Sequence, residues 1–160
     1  MLGRSRATED VDLLVPRLNK DKFENIWSNL HNNRFWGINT SNINEAFEML
    51  QEHAIRFARK KPVPNIEFKT IKTDLDEYSY ANRIKVIIGK DELFISPLEM
   101  QIAYKLFLSA EGIEEELEPD KDIEDAQHLY EVFKEKINKD ELLILVNKLN
   151  VKNKLKLLEK

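Results

Sequence analysis

The chain has 160 residues, with 25 Lys and Arg against 29 Asp and Glu, a formal charge of −4 and no cysteine. That length fits one domain or a compact core with a helical appendage, and 42% apolar residues suffice for a real core. Disulfide scaffolds, Cys-ligated zinc and thiol catalysis are excluded, a generally basic nucleic-acid coat is disfavoured, and no apolar run reaches the roughly 18 residues of a membrane span.

The opening MLGRSRATED has no apolar signal core, so a soluble, cytoplasmic protein is expected. The 34% charged content, rich in Lys and Glu, also matches the surfaces of thermophile proteins.

Val11 to Val15 is β-branched and Leu-rich, closes at Pro16 and predicts a short buried strand. Phe23, Ile26, Trp27 and Leu30 fall at i, i+3, i+4 and i+7, the apolar stripe of a helix starting near Asp21 and broken by Asn32, Asn33 and Gly37. Ser41 or Asn42 caps a second expected helix, with a stripe of Ile43, Ala46, Phe47, Leu50, Ala54, Phe57 and Ala58. Trp27, Phe23, Phe47 and Phe57 are read as core. KKPVPN, residues 60–65, cannot continue that helix, because each proline removes a donor and restricts its predecessor.

From Ile66 the period changes to two. Ile66, Phe68 and Thr70 take one face of a strand, and Glu67, Lys69 and Ile71 take the other. Asp76 to Asn82 predicts a helical turn, and residues 83–95 predict a hairpin turning at Gly89-Lys90-Asp91. Beyond Ser96-Pro97, read as a capping serine and a first-turn proline, the chain becomes helical. Leu98, Ile102 and Leu106 mark one helix, an acidic loop spans Gly112 to Pro119, and further helices cover 121–136, 139–149 and 151–159. The expected fold is therefore α/β (α+β): a small mixed sheet in residues 1–96, then a C-terminal helical bundle in 97–160.

Two clusters carry candidate chemistry. In Arg6-Ala7-Thr8-Glu9-Asp10-Val11-Asp12, Asp10 and Asp12 project on one face of the strand while Val11, Leu13 and Val15 are expected to be buried on the other. Carboxylates one pleat apart repel unless a cation lies between them, which suits Mg²⁺ or Mn²⁺ held with substrate phosphates. Glu67 is the best-placed third carboxylate for a two-metal arrangement, and Lys69, on its face, would meet a phosphate or neutralise the cluster. A strand-end DxD pair is also an ordinary solvated feature, and spacing alone leaves both readings open.

The second cluster is Asp122 and Asp125, neighbours at i, i+3 near a helix N-terminus, where spacing alone favours an ordinary acidic first turn with Glu124 and His128 as an i, i+4 pair. Lys105, the only charge in QIAYKLFL, suits either of them as a partner, or snorkels into water. Arg56, Arg59, Lys60 and Lys61 gather at the expected end of the second helix. Pairing with that helix's C-terminus is the favoured reading there, ahead of an RNA groove. There is no P-loop, GxGxxG, HExxH or nucleophile elbow.

GRSRATEDVDLLV resembles the DxD strand of the nucleotidyltransferase superfamily, near the small prokaryotic and archaeal members that include type IV abortive-infection toxins. ISPLEMQIAYKLFL followed by KDIEDAQHLY resembles the C-terminal signature of that group, a Ser-Pro-Leu-Glu helix with an internal Lys and then [Arg/Lys]-Asp-x-x-Asp. The middle, residues 16–65, matches only in general shape. The resemblance implies that Asp10, Asp12 and Glu67 hold the catalytic divalent metals. It further implies that Gly3, Arg6 and Thr8 border the nucleotide phosphates, and that Lys105, Asp122 and Asp125 form a second polar cluster at the nucleotide.

The implied reaction moves a nucleoside monophosphate from an NTP to a tRNA end or a protein side chain, releasing pyrophosphate. Members of the group carry a helix and a Gly-Gly/Ser phosphate anchor before the DxD strand, where only Met1, Leu2 and Gly3 stand here. That departure supports an alternative, a non-catalytic binding module on the same fold. A further alternative is the toxin of a toxin–antitoxin pair, with the antitoxin or a second copy as partner.

Overall fold

The computed structural model describes residues 10–109 and 120–159. Gly3, Arg6, Thr8 and the acidic loop lie outside the described residues. The described chain forms two compact units that meet in sequence between Ala81 and Asn82, whereas the sequence pattern placed the division after Ser96. The shift follows from hydrogen bonding: among the described residues the strands on either side of Gly89 pair with each other and do not extend the larger sheet.

The first unit runs β1 (Asp10–Val15), α1 (Lys20–Asn32), β2 (Trp36–Gly37), α2 (Ile43–Glu52), β3 (Ile55–Arg59), β4 (Lys61–Thr70) and α3 (Asp74–Ala81). Its four strands lie in the order β1-β4-β3-β2. β1 is parallel to β4, and β3 is antiparallel to both β4 and β2, so the sheet is small and mixed, as expected.

Local chemistry explains the helix ends. The Asn19 side chain accepts from the Lys22 amide at 3.0 Å, and the Asn42 side chain accepts from the Asn44 and Glu45 amides; both are N-caps that satisfy otherwise unpartnered donors. At α3 a reciprocal box forms, with Thr73 N–H donating to Asp76 and Asp76 N–H donating to Thr73 Oγ1 at 3.1 Å.

The second expected helix stops six residues early. Ala54, Phe57 and Ala58 continue the helical spacing on paper, but Ile55, off that stripe, is fully buried together with Phe57. Ile55 and Phe57 alternate with the exposed Arg56, the period of a strand, and pairing on both sides builds the segment into β3. Pro62 and Pro64 fall where the β3–β4 register shifts, between Ala58/Arg59, a place where lost ladder donors are tolerated.

One face of this sheet is packed beneath α1 and α2. Phe23, Trp27, Ala46, Leu50, Ile55, Phe57 and Phe68 form the core, with Phe47 partly buried against it. The Trp27 and Phe57 rings meet edge-on with centroids 5.3 Å apart, and truncating a buried aromatic of this kind costs about 3–5 kcal/mol. Gly37 is required here, because a Cβ would lie 2.9 Å from the Trp27 ring and 2.5 Å from the Thr40 carbonyl oxygen. β1 is an edge strand, so Val11 and Leu13, expected to be buried, are 48% and 40% exposed. Only Val15 of that face reaches the core.

The second unit contains the hairpin β5 (Ile84–Ile88) and β6 (Asp91–Ile95), then α4 (Leu98–Leu108), α5 (Lys121–Phe133) and α6 (Lys139–Lys148). The turn is the two residues Gly89-Lys90, and Gly89 has φ +64°. Residues 134–136 and 152–157, expected to be α-helical, wind as 3₁₀ segments. Pro97, expected at the first helical position, holds the cap position of α4 without a side-chain hydrogen bond, and the Ser96 carbonyl accepts from Gln101 Nε2 at 2.7 Å. Ile102, Ala103, Leu106, Ala126, Leu129, Leu145 and Val146 are buried. Among the described residues no helix is long and apolar enough to cross a membrane.

Candidate functional site

In the first unit the sheet face opposite α1 and α2 carries charge, and strand register dictates its layout. β1 and β4 align Asp10 with Asn65 and Asp12 with Glu67, and β3 aligns Arg56 with Glu67. Directly paired residues share a face, so Asp12, Glu67 and Arg56 form one row across three strands. Lys69, two residues beyond Glu67, stands beside that row.

The contacts follow this order. Lys69 Nζ lies 3.0 Å from Asp12 Oδ1 and 2.9 Å from Glu67 Oε1, bridging the two strands. Arg56 approaches Glu67 Oε2 with Nε at 3.0 Å and Nη2 at 2.9 Å. The backbone amide of Arg56 donates to the Asn39 side chain at 2.7 Å, which fixes β3 beneath its guanidinium. Asn65 Nδ2 donates to Asp10 Oδ1 at 2.5 Å. Glu67 is the least exposed of the ion-paired side chains, 13% accessible against 67% for Asp12.

Burial pushes the Glu67 carboxyl pKa up, but hydrogen bonds from Lys69 and Arg56 and their charges outweigh it and hold it below its usual value. For Lys69, burial pulls the ammonium pKa down, and Glu67 and Asp12 reverse this, holding it above the usual lysine value. An open cleft of about 550 Å³ lies against this cluster, lined by Arg56, Glu67, Lys69, Lys72 and Asp76 among others.

The donor set can be tested against a hard divalent cation. Asp10 and Asp12 supply exposed carboxylate oxygens from one strand, the ligand type Mg²⁺ takes. A cation already bridges Asp12 and Glu67 in the form of the Lys69 ammonium. Yet among the described residues no three acidic or histidine side chains are grouped closely enough to enclose a metal. Glu67 is occupied by Arg56 and Lys69. The arrangement therefore fits an ion held by Asp10 and Asp12 with oxygens from elsewhere, and does not fit a closed protein cage.

Lys105, Asp122 and Asp125 come together in the second unit. Lys105 Nζ is 2.6 Å from Asp122 Oδ1 and 3.2 Å from Asp125 Oδ2, tying α4 to α5. Here too burial lowers the lysine pKa, and the two carboxylates more than restore it.

Two participants were not assigned to this site from the sequence. The sequence groups Arg56 with helix-end cations, although its place between Ile55 and Phe57 is a strand signal. Asn65 carries no sequence signal for its bond to Asp10, because their pairing spans 55 residues. The cations Arg56, Arg59, Lys60 and Lys61 do not follow a helix C-terminus; they belong to β3, the turn at Lys60 and the start of β4. Compared with protein-family models and with curated proteins, the chain matches none.

Proposed function

We propose that the first unit is a metal-dependent nucleotidyltransferase-like domain, transferring a nucleoside monophosphate from an NTP to a hydroxyl of RNA or protein. The observation that supports this reading is the parallel register of β1 and β4, which aligns Asp12 with Glu67 and sets Asp10 one pleat away. In this reading Asp10 and Asp12 hold Mg²⁺ or Mn²⁺, which when bound would lower the charge barrier at the transferred phosphoryl group. Lys69 moves from the carboxylates toward an NTP phosphate. Glu67, tied by Arg56, orients Lys69 and serves as a third acidic position only after releasing it. Gly3, Arg6 and Thr8 are proposed to border the phosphates, while Lys105, Asp122 and Asp125 form a polar cluster of the second unit.

The second reading, a non-catalytic binding module, is favoured by the pairing of Glu67 with both Arg56 and Lys69 and of Asp12 with Lys69. Incubation with radiolabelled NTPs, Mn²⁺ or Mg²⁺ and total RNA or protein separates the two. Metal-dependent label transfer lost in Asp10→Asn supports the transferase. No transfer, with Mn²⁺ binding unchanged by Asp10→Asn and Asp12→Asn together, leaves the binding module.

A further inference from the structure

At the β2–β3 end of the first unit, basic and aromatic side chains gather without acidic neighbours in sequence. β2 pairs Trp36 with Ala58, and continuing that register sets Phe35 against Arg59. The Arg59 guanidinium indeed lies over the Phe35 ring, 5.8 Å from its centroid. One step further come Arg34, the turn residue Lys60 and Lys61 at the start of β4. The two segments that build this end, 31–41 and 53–66, contain no aspartate or glutamate, although the chain as a whole is acidic. Arg34, Arg59, Lys60 and Lys61 are all exposed. Among the described residues none of the four has a carboxylate within ion-pair distance.

Two further observations distinguish this patch from an ordinary solvated surface. Arg34 has φ +65° and Lys60 has φ +74°, a backbone region that glycine or asparagine occupies more cheaply. Asn150 is the one other non-glycine residue with positive φ among the described residues, and for asparagine that is ordinary. The two unfavourable choices are thus both cations at the same end of the sheet. Secondly, Trp36 is 41% exposed whereas the other tryptophan, Trp27, is buried at 6%. Gly37 faces Trp27 and the core, so the alternation of β2 puts Trp36 on the opposite face. That is the face of Asp10, which lies in the same cross-strand row through Ala58 and Asn65. Three strand spacings separate them, roughly 14 Å.

We propose that this end of the sheet binds single-stranded nucleic acid, with phosphates on Arg34, Arg59, Lys60 and Lys61 and an unpaired base stacked on Trp36. Cations that follow a backbone, together with an exposed indole, are the two elements of sequence-tolerant single-strand recognition. A duplex fills the indole poorly, because its bases are already stacked. The inference rests on the transfer reading only where it names the acceptor, a nucleic-acid strand whose end reaches Asp10 along the Trp36 row. The binding itself needs neither metal nor NTP.

The test is fluorescence anisotropy of a labelled oligouridine with the full chain, without metal or nucleotide, alongside intrinsic tryptophan emission. Binding is expected to weaken with salt, with a log–log slope of about −3 for four phosphate contacts, and to quench Trp36. Trp36→Ala should weaken it on the order of 10-fold or more. Lys60→Gly removes a charge while relaxing the backbone, so it should weaken binding with no loss of thermal stability, which separates recognition from folding. Unchanged binding in Lys60→Gly and Trp36→Ala overturns the proposal. So does equal affinity for the matching duplex, or stronger binding to phosphatidylserine vesicles or polyglutamate without tryptophan quenching. Because no transfer is measured, a failed transferase assay leaves this result standing, and a failed binding assay leaves transfer to a protein hydroxyl.

Discussion

Each unit holds a lysine between two carboxylates, but the two clusters lie at different depths and are built differently. Lys69 bridges Asp12 and Glu67 across parallel strands, with side-chain exposures of 43%, 67% and 13%. Lys105 bridges Asp122 and Asp125 between two helices, at 31%, 29% and 8%. In the sheet, register sets the carboxylates side by side at an edge strand and leaves Asp12 toward solvent. Between α4 and α5, the i, i+3 spacing turns both aspartates toward the neighbouring helix, where Asp125 is almost fully buried. The same chemistry is thus expected to serve stability where it is covered and exchange where it is open.

The largest predicted effect comes from removing the covered lysine. Lys105→Met leaves a buried carboxylate beside a thioether, and breaking such a pair should cost about 2–3 kcal/mol, below the fully buried limit because Lys105 retains some exposure. Lys69→Met, in the open cluster, should cost less than about 1 kcal/mol, since Arg56 still neutralises Glu67. Urea unfolding of both variants measures the contrast. Equal losses would end the functional distinction between the clusters.

Next come pH effects on the order of 1 kcal/mol, of opposite sign. Glu67 has a folded pKa below its usual 4.5, so its contribution is complete above pH 4.5 and is lost as pH falls through the depressed value. Lys105 has a folded pKa above its usual 10.5, so its contribution is complete below pH 10.5 and disappears as pH rises through the elevated value. The acid limb of the stability profile should therefore flatten in Glu67→Gln. The alkaline limb should flatten in Lys105→Met. Chemical denaturation across pH reads both.

How much of this was legible depended on how local each feature is. The cap at Asn42, the Phe23/Trp27 stripe and the Gly89 turn are decided within a few residues, and their sequence signals suffice. The face shared by Glu67 and Lys69 was equally visible from alternation. Register was not: nothing near Asp12 says that it faces Glu67 rather than Lys69, because a two-residue slip keeps every side chain on its face and changes every partner. The β3 error has the same origin. Ala54, Phe57 and Ala58 fit a helical stripe, and only pairing with β4 and β2 makes the period-two reading of Ile55 and Phe57 win. A helical reading of that segment separates Arg56 from Glu67 and Arg59 from Phe35.

The smallest predicted stability change belongs to Asp12→Asn, and it sharpens the comparison most. Asp12 is the most exposed member of its cluster, and Lys69 keeps Glu67 when Asp12 loses its charge. Removing that charge also relieves repulsion with Asp10, one pleat away on the same face. Stability should therefore stay within about 0.5 kcal/mol of the parent, while calorimetric Mn²⁺ binding should weaken severalfold if Asp10 and Asp12 share an ion. Lys69→Met should act in the opposite direction, tightening Mn²⁺ by withdrawing the internal cation that competes for Asp12. Opposite shifts in metal affinity at nearly constant stability are what an open, exchangeable cluster requires. A stability loss in Asp12→Asn as large as that of Lys105→Met, with no change in Mn²⁺ affinity in either sheet variant, would make the sheet cluster a structural clamp like its helical counterpart.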